Sequence, residues 1–155
     1  MSSIRSRAPA ASSARIRAIM RRIPQVGTAG ERVLHKVLKD AGIGFGSNRR
    51  PIEGVRIAVD IIVPRVRLCI FVHGCFWHGC KTHFKVPHTN RAWWREKIED
   101  NRRRDRSQGK RLRHCGWHVW RVWEHALTGA NQEKTRRRLV SRIIHLHTRL
   151  SHIAC

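Results

Sequence analysis

The spacing of apolar residues along the chain changes period several times, and each change marks an element. Ile16, Ile19, Met20 and Ile23 recur at helical intervals behind Ser13, a good N-capping residue, and predict a short helix from Ala14 to about Arg22. Pro24 and Gly27 break it. A second helix starts behind Thr28, with Glu31 three residues on in capping-box spacing, and runs through Val33, Leu34, Val37 and Leu38 to Gly42. From Val55 the period drops to two. Val55, Ile57, Val59, Ile61 and Val63 share one face of a strand, and Arg56, Ala58, Asp60 and Ile62 the other. Leu68–Val72 is a short apolar run between Pro64 and Gly74, the pattern of a strand buried on both faces.

A Cys- and His-rich loop follows from His73 to about His88. Residues 91–106 predict a charged helix with Trp94 and Ile98 on one face, and Trp117–Trp123 predicts a further strand. Residues 131–150 predict a basic amphipathic helix carrying Leu139, Ile143, Leu146 and Leu150. With a weak strand around residues 43–50, this order of elements predicts an α/β sandwich with a mixed sheet. It forms one domain over residues 14–150, behind a flexible basic tail at residues 1–13, with no internal repeat.

Composition adds a partner. The chain holds 33 Lys and Arg against 10 Asp and Glu, a formal charge of +23, which repels itself unless a polyanion such as nucleic acid neutralises it. Arg-rich usage can also follow from GC-rich coding. Five cysteines at uneven spacing do not make a secreted disulfide framework; metal ligation in a reducing compartment fits them better. No apolar run reaches signal-peptide or transmembrane length, so no membrane partner and a cytoplasmic location are expected. Residues 1–22 also have the Ser-, Ala- and Arg-rich, acid-free composition of an organellar transit peptide.

Asp60 is the one carboxylate in an alternating apolar strand, where an acid must be neutralised or bound to a cation. It can equally lie on a solvated face or pair with an arginine. Cys75, Cys80 and His83 form C-x4-C-x2-H within a dozen residues, and His125, Cys115 or His114 can close a tetrahedral structural zinc site. Phe76–Trp77 and Trp93–Trp94 stand among basic residues, as aromatics that stack on or wedge between bases do. Trp117, Trp120 and Trp123 read as core. Glu31, His73 and His78 can surround Asp60 if the loop folds back over the strand, although Glu31 is also explained by its cap.

The runs Phe71–Val72–His73–Gly74–Cys75–Phe76–Trp77–His78, Phe84–Lys85–Val86–Pro87, Trp94–Arg95–Glu96–Lys97–Ile98, Gly116–Trp117 and Val122–Trp123–Glu124–His125–Ala126–Leu127 resemble the very short patch repair (Vsr) endonucleases. The likeness spans residues 14–127 in order and with family-like spacing. It implies a restriction-endonuclease-like fold of the PD-(D/E)xK type, a three-layer α/β/α core with a mixed sheet and an added structural zinc site.

The resemblance further implies catalytic Mg²⁺ held by Asp60 and the backbone carbonyl of Val72, with His78 as general base and His73 and Glu31 as a supporting cluster. It implies structural Zn²⁺ on Cys75, Cys80, His83 and His125, leaving Cys115 as a core thiol. It places Phe76, Trp77 and Trp94 in the duplex from one groove, and Ile16 of the N-terminal helix from the other. The implied activity is nicking 5′ to the T of a T:G mismatch, left by deamination of 5-methylcytosine. The implied enzyme is a bacterial, nucleoid-associated monomer, followed in repair by a MutL-type protein and DNA polymerase I. A homing-type or sequence-directed nickase and an inactive zinc-dependent DNA-binding module are the competing readings. Three departures stand out: Val59 occupies a position where the family often has Pro, the metal-ligand loop is short, and Arg21–Gly27 looks inserted.

Overall fold

The computed structural model describes residues 27–153. The tail over residues 1–13, the helix over 14–22 with Ile16, and most of the apparent insertion lie outside the described residues. Helix α1 (Ala29–Asp40) opens on the expected capping box: Thr28 accepts from the Glu31 N–H, and the Glu31 carboxylate accepts from the Thr28 N–H. Its buried Leu34, Val37 and Leu38 are the apolar stripe read from the sequence.

Strands β1 (Gly46–Arg49), β2 (Val59–Val63), β3 (Leu68–His73) and β4 (His118–Trp123) form one sheet in that order. β1–β2 and β2–β3 are antiparallel and β3–β4 is parallel, so the sheet is mixed as expected. Helix α2 (Arg91–His114) provides the crossover between β3 and β4, and helix α3 (Asn131–Ile153) follows a 3₁₀ turn over Glu124–Leu127. One core cluster joins Leu34 and Leu38 of α1, Ile61, Leu68 and Ile70 of the sheet, and Leu139 and Ile143 of α3. A second joins Ile57, Val59 and Cys69 to Leu112 of α2, with Ile62, Phe71 and Val119 packed against it. Helices thus cover both faces of the sheet, with α2 apart from α1 and α3.

Two boundaries and the burial of one cysteine differ from the sequence reading. The strand expected from Val55 starts at Val59, because β1 is four residues long and offers partners only as far back as Val59. Val55 and Ile57 still pack into the second cluster, on turn-like hydrogen bonds. The helix expected to end near residue 106 continues to His114, passing through Gly109. Cys115 is exposed, not a core thiol: the helix ends on it, and its carbonyl accepts from Arg67. Among the described residues, no helix is long and apolar enough to cross a membrane.

Candidate active site and metal centre

Asp60 stands near the start of β2, beside the end of β3, where its Oδ2 accepts the Val72 N–H at 2.7 Å. That bond locks one carboxylate oxygen toward β3. Burial raises the Asp60 carboxyl to about 6, helped by the negative charge of Glu31; the Val72 N–H and His78 pull the other way. Glu31 is itself buried, and its carboxylate accepts from the Gly27 N–H and from the N–H and hydroxyl of Thr28. The cap is formed, and the charge of Glu31 is felt at Asp60. The Asp60 carboxylate, whose burial makes its charge costly, is a donor that a hard divalent cation would relieve.

His73 ends β3, buried, with Trp123 of β4 edge-on to its ring at 5.4 Å. The loop after it turns tightly, His78 N–H to Gly74 O and Cys80 N–H to Cys75 O, and brings the His78 ring flat onto His73. The ring centroids are 3.9 Å apart and the planes 9° from parallel. Burial first, then His78 and Arg121, push His73 down to about 4 against the pull of Asp105, so its imidazole is neutral near pH 7.

Asp105 of α2 was not singled out in the sequence. Its Oδ2 lies 2.6 Å from His78 Nδ1 and 3.8 Å from His73 Nε2. Burial opposes its charge, yet the His78 hydrogen bond and the charges of His78, His73 and Arg104 hold its carboxyl below the usual range. An ionised carboxylate only accepts, so His78 Nδ1 carries the proton and Nε2 is left as the basic atom. The same helix holds the loop: Asn101 donates to Trp77 O at 2.8 Å and Arg102 to Gly79 O at 2.7 Å. Gly79 sits at φ +63° so close to α2 that a Cβ would strike Ile98 and Arg102, hence glycine between His78 and Cys80. The signal was present: residues 94, 98, 101 and 105 continue one helical stripe, and a carboxylate on it asks for a partner.

Cys75, Cys80, His83 and His125 converge, with all four ligand atoms within 4.8 Å of one another. His125 Nδ1 lies 3.1 Å from Cys75 Sγ and 3.6 Å from Cys80 Sγ; His83 Nδ1 lies 4.0 and 3.6 Å from the same sulfurs. A tetrahedral zinc with bonds of about 2.0 Å to nitrogen and 2.3 Å to sulfur spaces its ligands at roughly 3.3–3.8 Å, so the set fits that ion. Burial opposes the Cys80 thiolate, but hydrogen bonds from the N–H and ring of His83, the N–H of Thr82 and the Cys75 side chain bring it down to about 7. Neither Cys115 nor His114 joins this cluster.

Phe76, Trp77, Phe84, Trp93 and Trp94 form one aromatic cluster at the loop and the start of α2. Phe76 and Trp77 are half-buried, whereas Trp94 is only 8% exposed, packed edge-on against Phe76 at 5.0 Å. Trp94 is therefore not presented outward in the free chain. Trp120 and Trp117 flank the two core clusters as expected, while Trp123 borders the site.

Comparison with known proteins gives the family. The profile of the DNA mismatch endonuclease Vsr family matches residues 10–83. The DNA mismatch endonuclease Vsr of Escherichia coli is 41% identical over 111 residues, 71% of this chain and 69% of that protein. The chain belongs to the Vsr family of DNA mismatch endonucleases. Other relatives of this Vsr chain are named as type II nicking enzymes. V.XorIIP of Xanthomonas oryzae pv. oryzae is 36% identical, over 71% of this chain and 79% of that one. V.NaeI of Lentzea aerocolonigenes is 37% identical over 64% of this chain, which spans 61% of that relative. The Vsr chain also shares its fold with the catalytic domain of the homing endonuclease I-Bth0305I: TM-score 0.52, 17% identity, covering 77% of this chain and 98% of that domain.

Proposed function

We propose that this chain is a DNA mismatch endonuclease that nicks one strand of the duplex, 5′ to the T of a T:G mismatch, by Mg²⁺-dependent hydrolysis. The observation that carries the reading is the hydrogen bond of His78 to Asp105, with the charge of His78 felt at Asp60, within a chain of the Vsr family. A module that only binds DNA has no use for a carboxylate-oriented imidazole near a half-buried acid.

Asp60 and the Val72 carbonyl would hold Mg²⁺, which when bound offsets negative charge building on the phosphate. Asp105 fixes His78 by its Nδ1–H, so Nε2 takes a proton from the attacking water. The new bond joins the water oxygen to phosphorus, and the bond that breaks is phosphorus to O3′. The products are a 3′-hydroxyl, protonated from solvent, and a 5′-phosphate. His73, buried and neutral, backs the His78 ring and resists its rotation. Glu31 joins this cluster through its charge beside Asp60. Zinc on Cys75, Cys80, His83 and His125 would pin the loop two residues beyond both His73 and Trp123.

Phe76 and Trp77 wedge into the duplex at the mismatch, with Trp94 following once Phe76 leaves it; Ile16 enters from the other groove. The molecule acts as a cytoplasmic monomer at the nucleoid, with a MutL-type protein and DNA polymerase I acting around or after it. Labelled duplexes carrying T:G, T:A or C:G at one position, in several flanking contexts, test the reading. Equal cutting of the matched duplexes would favour a sequence-directed nickase of homing type; tight binding with no nick would favour a binding module.

A further inference from the structure

Arg121 is an arginine on the sheet face that packs beneath α2. It pairs with Phe71 across the ladder, and Val119, Cys69 and Ile62 share its surroundings. Its Nη2 donates at 2.6 Å to the backbone carbonyl of Asp105. That carbonyl already belongs to the helix ladder toward position 109, and its second lone pair takes the guanidinium. Position 109 is a buried glycine within a 24-residue helix, where glycine normally weakens the element. A Cβ there would collide with the Arg121 guanidinium, and the Arg113 guanidinium would lie 3.4 Å away. Burial and the like charge of Arg113 oppose the Arg121 cation, and the charge of Asp105 favours it, so Arg121 is held toward Asp105.

We propose that Arg121 and Gly109 form a positioning pair for the general base. Arg121 reaches through the gap that Gly109 leaves in α2 and clasps the Asp105 backbone, which sets the Asp105 carboxylate against His78. Arg121 is a positioning residue and touches neither DNA nor the reacting phosphate. The inference rests on the nicking function proposed above, in which Asp105 orients His78.

The test uses Gly109→Ala, Arg121→Met, Arg121→Lys and the Gly109→Ala/Arg121→Met double variant. Single-turnover nicking of a T:G duplex, DNA Kd and Tm are measured for each. Gly109→Ala and Arg121→Met should each slow nicking tenfold or more with Kd within twofold. Gly109→Ala should not lower Tm, since alanine favours the helix. The double variant should be no slower than Arg121→Met alone, and Arg121→Lys should recover part of the rate through its own donor. Single variants within twofold of wild type, losses that multiply in the double, or a loss residing in Kd would each overturn the proposal. If the wild type nicks no duplex, the nicking function fails. The pair is then judged by the downfield Nδ1–H proton signal of His78: its loss in Gly109→Ala supports the clasp and its persistence overturns it.

Discussion

The carboxylate of Asp105 lies 2.6 Å from Nδ1 of His78, although 27 residues separate them in the chain. The contact joins a tight Gly-bounded loop to the middle of a charged helix, and it decides which imidazole nitrogen is left free. His78 without it is a ring free to present either atom.

Asp105→Asn keeps the size of the side chain and removes the ionised acceptor. Single-turnover nicking should fall by about 10²–10⁴-fold, the usual worth of an oriented general base, while DNA affinity stays within a few-fold. Quench-flow rates and a binding titration on the same duplex separate the two. A loss confined to affinity would show that Asp105 serves the DNA and not His78.

Acidity acts on the site from two sides. Asp60 has a raised folded value, about 6, so the fold retains a proton that the unfolded chain releases. Its effect is therefore destabilising: it grows as pH rises through about 4 to 6 and is complete above that. His73 has a depressed value, about 4, so the unfolded chain takes up a proton first and stability is lost as pH falls from about 6.5 to 4. In metal-free chain at pH 8, Asp60→Asn should gain on the order of 1–3 kcal/mol, and near pH 4 almost nothing. Thermal melts in chelator at the two pH values check this; an equal gain at both would mean that burial of the charge is not the cause.

How much of this was legible in the sequence divides along physical lines. Periodicity gave α1 with its cap, β3 with its double burial and the order of the elements along the chain, because local pattern and tertiary burial agree there. It missed the end of α2, since Gly109 reads as a helix breaker until Arg121 is seen filling the space beside it. It began β2 too early, because pairing depends on the length of a partner strand. The Zn-type cluster was legible as ligand density, and the structure gathers Cys75, Cys80, His83 and His125 while leaving Cys115 exposed. Asp105, Asn101 and Arg102 were overlooked as three among many charged and polar residues on a basic helix. Only the loop packed against them distinguishes them.

Zinc content follows from that cluster. The purified chain should carry one zinc, lost in Cys80→Ser together with loop order and nicking, whereas Cys115→Ser should keep it. Elemental analysis and thiol-reactive zinc release check both. Retention of full zinc in Cys80→Ser would remove that residue from the ligand set.

The aromatic cluster separates wedge from core. Trp77→Ala, half-buried, should erase the preference for T:G over T:A while costing about 1–2 kcal/mol of stability. Trp94→Ala removes a buried side chain and should cost about 3–5 kcal/mol as well as activity. Chemical denaturation and paired duplexes read both. Undiminished mismatch preference in Trp77→Ala would take that side chain out of recognition.

The most direct measurement is cleavage of a T:G duplex labelled on either strand, in Mg²⁺, by wild type and by Asp60→Asn confirmed folded by its melt. The wild type is predicted to cut the T strand alone, 5′ to the T, leaving a 3′-hydroxyl and a 5′-phosphate, and Asp60→Asn to cut neither strand. Nicking that survives in Asp60→Asn, or a cut that ignores the mismatch, would contradict the account.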